Sequence, residues 1–177
     1  MRLILLFCTV FSLTSLGQSS FPDNWIGDYD GQMILANMGR PNDTIAVDFT
    51  LEEVIKDSVW THKMHYYSEK WGDIIKDYLI VAKRKENTVD YYLDEQNGIV
   101  MELTYMNDCF YGMYEVMGMI YTTSFRKHGD QLFFELYAAS LDKKKLSATE
   151  PDENGEVIKV ESPKTTLVQS VMLSRKK

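Results

Sequence analysis

Apolar and polar residues alternate with a period of two along most of this chain, the pattern of strands that bury one face. Residues 28–37 put Tyr29, Gly31, Met33 and Leu35 on one side and Asp30, Gln32, Ile34 and Ala36 on the other. Residues 44–54 set Ile45, Val47, Phe49 and Leu51 against Asp48, Thr50 and Glu52. Residues 59–67 set Trp60, His62, Met64 and Tyr66 against Thr61, Lys63 and His65. Further strands are expected at 75–84, 88–94, 99–106, 109–116, 119–127, 131–139 and 165–174. Turn chemistry separates them at Gly39-Arg40-Pro41, Lys56-Asp57-Ser58, Asn97-Gly98, Asn107-Asp108 and His128-Gly129-Asp130. Asn97-Gly98 is the strongest hairpin signal, because both residues accept positive φ.

No long segment carries a helical period with caps, so helix content should be low. About ten strands joined by short connections predict an all-β fold, a single up-and-down antiparallel β-barrel over residues 18–177. Closure would remove the edges that such apolar strands otherwise expose. Residues 140–160 break the rhythm with Lys143-Lys144-Lys145 and then Pro151-Asp152-Glu153-Asn154-Gly155-Glu156. They are expected to form a mobile acidic connection, with a small hairpin at Asn154-Gly155 as an option.

The N-terminal stretch departs from this pattern. One basic residue, Arg2, precedes the apolar run Leu3 to Phe11, and small residues stand at Ser15 and Gly17. That predicts a signal peptide over residues 1–17, cut before Gln18, and so a periplasmic or secreted protein. No later run is apolar enough for a membrane helix. The chain has net charge −7, and it lacks a basic cluster to neutralise phosphates, which excludes nucleic acid as an expected partner. Cys109 alone remains after the leader, so no disulfide staples the domain; a small buried hydrophobe is the expected role.

Three short pieces resemble the calycins, the lipocalin-like and nitrobindin-like barrels. Trp25-Ile26-Gly27-Asp28-Tyr29 is similar to their opening motif, the stretch from Ser124 to Leu136 to their penultimate hairpin, and Leu167 to Arg175 to their closing strand. The resemblance implies that Trp25, Gly27 and Tyr29 close one end of the barrel. It also implies that Arg175 covers the Trp25 ring, a cation–π contact. Haem-binding members supply a histidine from the closing strand. Residues 165–175 contain none, although Gln169 lies there. Haem is therefore not carried over, and no cofactor is expected.

Candidate chemistry is sparse. His62 and His65 lie on opposite faces of one strand and His128 lies in a turn, so no metal site is expected. Glu102, Glu115 and Glu135 fall on neighbouring strands, where a solvated outer face explains them better than an acid/base pair. No nucleophile elbow or phosphate-cradling glycine loop is present. The aromatic residues tell more. Trp60, Tyr66, Tyr78, Tyr91, Tyr105, Phe110, Tyr114, Tyr121, Phe125 and Phe134 fall mostly on faces expected to point inward. They would either fill the barrel or line an apolar pocket with polar tips. The candidate ligand-binding residues are Trp60, His62, Tyr78, Tyr91, Tyr105, Tyr121, Arg126 and Phe134. The leading expectation is an exported barrel that binds a small, largely apolar molecule. The alternatives are an interaction module with a filled core, and an enzyme using histidine or carboxylates at the barrel mouth.

Overall fold

Strands that bury one face and are joined by tight turns pair with their sequence neighbours, and here each does so antiparallel. A computed structural model describes residues 21–177; the expected signal peptide lies outside the described residues. The strands are β1 (Gly27–Asn37), β2 (Asp43–Leu51), β3 (Glu53–Ile55), β4 (Val59–Tyr67), β5 (Ile74–Lys85), β6 (Thr88–Asp94), β7 (Val100–Met106), β8 (Cys109–Val116), β9 (Met119–His128), β10 (Gln131–Ala148) and β11 (Lys159–Arg175). β2 and β3 form one stave interrupted at Glu52, and both pair with β4. β1 pairs with β2 on one side and β11 on the other, which closes a ten-strand up-and-down barrel. No helix occurs among the described residues.

Residues 140–160 correct the expectation of a mobile connection. β10 and β11 run on past the barrel as a two-stranded ribbon, with Lys144 paired to Pro163 and Ala148 to Lys159. The ribbon ends in a turn where Gly155 N–H donates to the Asp152 carbonyl. Its backbone pairs, but both of its faces are wet, so the sequence shows no alternation there.

One end of the barrel is packed with rings. Residues 21–25 turn beneath it, and the Phe21 ring meets Trp60 at 4.7 Å, Phe110 at 4.8 Å and Trp25 at 5.7 Å, each edge to face. The Phe21 N–H donates to the Tyr105 hydroxyl at 2.9 Å, and that hydroxyl donates to Asp108 at 2.9 Å. Arg175 fastens this segment from the far end of the chain. Its guanidinium donates to the carbonyls of Ile26 (2.6 Å) and Asn24 (2.8 Å) and to the Tyr29 hydroxyl (2.8 Å). The guanidinium lies 5.1 Å from the centre of the Tyr29 ring, so its aromatic partner is Tyr29, where the calycin resemblance implied Trp25. Arg175 is drawn there because the turning backbone leaves carbonyls that only a forked donor can satisfy together. Gly27 is needed at this point: its φ is +150°, and a Cβ would stand 2.6 Å from the guanidinium.

Trp25 is fully buried in this floor. Trp25→Ala is expected to lower stability by roughly 3–5 kcal/mol in denaturant unfolding. A mutant as stable as wild type would refute its role as a plug.

Candidate ligand-binding site

Above the ring-packed floor the barrel is hollow. The lumen has a volume of about 490 Å³, within the range of small-molecule sites. Its walls are mostly apolar: Met33, Leu35, Ile45, Met64, Ile80, Leu93, Leu103, Phe110, Phe125, Phe134 and Leu136. It opens at the end where β1 runs into β2 and β4 into β5, past the exposed lining residues Trp71, Ile74 and Lys76.

Period-two alternation delivers the polar groups as well. On β4, Trp60, His62, Met64 and Tyr66 all face inward, at increasing height above the floor. Trp60 packs with Phe21, while the other three line the lumen. The His62 ring sits 5.0 Å from Phe49 and 5.3 Å from Phe125. Its Nδ1 is buried without a hydrogen-bond partner. Burial among these rings pulls its pKa from 6.5 down to about 4, partly offset by its own backbone. The imidazole is therefore neutral at neutral pH.

Four tyrosines stand higher in the lumen: Tyr66 on β4, Tyr78 on β5, Tyr114 on β8 and Tyr121 on β9. Tyr78 lies opposite His62 in the β4–β5 register, and the Tyr114 and Tyr121 rings stack at 5.2 Å. Burial pushes the Tyr78 and Tyr114 hydroxyls up to about 12; Tyr66 also rises, first by burial and then by its neighbours Tyr78 and Tyr114. The Tyr78 hydroxyl is further raised by its hydrogen bond to Glu95, which lies just past β6. Ser68, Lys76, Thr123 and Gln169 complete the polar lining.

The ten aromatic residues expected inside all face the interior, at two depths. Of the ligand-binding candidates, His62, Tyr78, Tyr121 and Phe134 line the lumen. Trp60, Tyr91 and Tyr105 instead belong to the floor beside Phe21, with Tyr91 5.8 Å and Tyr105 6.1 Å from that ring. Alternation fixes the face a side chain takes but not its depth. Arg126 points outward, because its neighbour Phe125 points in. There it lies beside Tyr111 and Tyr137, lowering the pKa of both hydroxyls against larger upward effects. Glu102, Glu115 and Glu135 are not in the lumen; Glu135 accepts a hydrogen bond from Tyr137 at 2.9 Å on the outer face. Among the described residues no three His, Cys, Asp or Glu side chains come together to hold a metal ion. Tyr66 and Tyr114 were visible as inward aromatics but not chosen as site residues. Glu95, Ser68 and Lys76 carried no signal, since strand-end and loop residues are not placed by alternation.

No family model and no curated protein matches the chain. Solved structures do. It is similar to the S-type phycobiliprotein lyase CPES from Guillardia theta, at 12% identity and TM-score 0.58, over 88% of this chain and 90% of that one. It is also similar to Rv2717c from M. tuberculosis, at 10% identity and TM-score 0.53, over 87% of this chain and 94% of that one. The likeness is one of fold, a closed antiparallel β-barrel.

The buried histidine makes stability depend on pH. Between its ordinary pKa of 6.5 and its folded value of about 4, the unfolded chain takes up a proton that the folded chain refuses. Stability from this group is therefore full above that window and falls as pH drops through it, by roughly 3 kcal/mol in all. Unfolding free energies of wild type and His62→Phe should diverge across the window. A difference that does not vary with pH would refute the assignment.

Proposed function

We propose that the protein binds a small, largely apolar molecule inside the barrel. The observation that carries this reading is the lumen itself, about 490 Å³ walled by aliphatic and aromatic side chains and open at one end. Affinity would come from burial of apolar ligand surface, about 25 cal/mol per Å² before the costs of association. The tyrosine hydroxyls and His62 would set orientation. A protein named a phycobiliprotein lyase has a similar barrel. The hollow also weighs against a filled interaction module. An enzyme is less well supported: the three strand glutamates face out, and His62 has no carboxylate partner among the described residues. The leader pattern adds that the protein acts outside the cytoplasm, in the periplasm or beyond the cell.

A neutral fluorescent probe such as N-phenyl-1-naphthylamine should bind the purified protein and brighten. Leu136→Trp, which places an indole in the lumen, should weaken that binding at least tenfold with the melting curve little changed. Equal binding by the mutant would put the probe elsewhere and count against the reading. Export is tested separately: protein recovered from outside the cytoplasm should begin at Gln18, and recovery of the full chain in the cytoplasm alone would refute it.

A further inference from the structure

The polar groups of the lumen are not scattered along its length. Below, the His62 imidazole sits among largely apolar walls, where the Thr123 hydroxyl donates to the Gly112 carbonyl. Above it, the Tyr66, Tyr78, Tyr114 and Tyr121 side chains gather on four strands around the lumen, the Tyr114 and Tyr121 rings stacked at 5.2 Å; the Tyr66 hydroxyl is raised by Tyr78 and Tyr114, and that of Tyr114 by Tyr121 and Tyr78. The Tyr78 hydroxyl is engaged with Glu95. Those of Tyr66, Tyr114 and Tyr121 make no hydrogen bond to another described residue. They face the cavity as donors.

Charge narrows what they can receive. The Glu95 carboxylate acts on both Tyr78 and Tyr114, so an anion among these hydroxyls would meet a like charge in a site of low polarity. Lys76, the one cation in the lining among the described residues, is exposed at the rim, where solvent and salt screen it. Its ammonium stands 5.8 Å over the Tyr78 ring, so the ring that would attract a cationic ligand already has a cation beside it.

We infer that the ligand carries an uncharged oxygen acceptor, a ketone, aldehyde or ester carbonyl, held by the hydroxyls of Tyr66, Tyr114 and Tyr121, and that Glu95 selects against ligands ending in a carboxylate. This rests on the lumen being the binding site. A carbonyl oxygen gives these hydroxyls an acceptor that a plain hydrocarbon lacks, which sets a carbonyl compound apart from it.

The test is displacement of N-phenyl-1-naphthylamine by a matched series of equal chain length: an alkane, a methyl ketone, a carboxylic acid and a primary amine. It is run at mildly alkaline pH with acid and amine ionised. The ketone is expected to displace the probe at about tenfold lower concentration than the acid or the alkane, the advantage that two or so neutral hydrogen bonds confer. The triple variant Tyr66→Phe, Tyr114→Phe, Tyr121→Phe should lose the ketone's advantage and keep alkane binding. Glu95→Gln should bring the acid to within a few-fold of the ketone. Equal displacement by alkane and ketone, or a preference for acid or amine, would overturn this inference and leave interior binding standing. Failure of the probe to enter wild-type protein would overturn both.

Discussion

Everything in this molecule follows from the width of a ten-strand barrel. Strand number sets diameter, and at this size inward side chains from opposite walls no longer meet across the middle everywhere. A sheet closed in this way must be filled by something else or stay hollow. The chain fills one end with its own N-terminal turn. Phe21 and Trp25 enter from below, and Trp60, Tyr91, Tyr105 and Phe110 close around them. Arg175 holds that turn in place through carbonyls that would otherwise be unsatisfied. With one end plugged by segments far apart in sequence, the other end is free to remain a lumen without costing the barrel its closure.

The alternation of residues made the staves legible. β4, β6 and β8 run over the residues the pattern gave them, β1, β5, β7 and β9 differ by a residue at an end, and β10 and β11 run well past theirs into the ribbon. The reason is physical: an inner face that must be apolar and an outer face that need not be leave a period of two in the sequence. Where that condition lapses, the signal lapses. The ribbon beyond Ser140 is wet on both sides, with Leu146, Ile158 and Val160 exposed, so only the turn residues Asn154-Gly155 mark it as paired. Glu52 interrupts a stave without a turn residue to announce it.

The site was legible by face and not by height. Trp60 and Tyr66 occupy the same face of β4, and only the arrival of Phe21 beneath the barrel separates a floor residue from a lumen residue. That separation depends on a segment whose docking no local pattern encodes. Arg126 is a different case. Phe125 and Arg126 are adjacent in a strand and cannot share a face, so an inward Phe125 already placed the arginine outside. The clamp of Arg175 shows how a resemblance can name the right residue and the wrong partner. The cation does sit over a ring, but the ring is Tyr29, whose hydroxyl also accepts from it and donates to the Trp25 carbonyl.

The same hollow explains why the polar groups inside carry more information than the apolar ones. Aliphatic walls are what any barrel interior requires, so Met33, Ile80 or Leu103 distinguish little about a ligand. A histidine whose Nδ1 is buried without a partner and hydroxyls raised by burial are costly in a protein interior. Phenylalanine would build the same walls at each of those positions without that cost. A barrel serving only as a scaffold gains nothing from a neutral imidazole beneath a group of tyrosines, whereas an interior that must hold a molecule in one orientation does. The placement of these groups along the axis, imidazole low and hydroxyls with Glu95 high, is therefore the part of the structure least explained by folding alone and best explained by recognition.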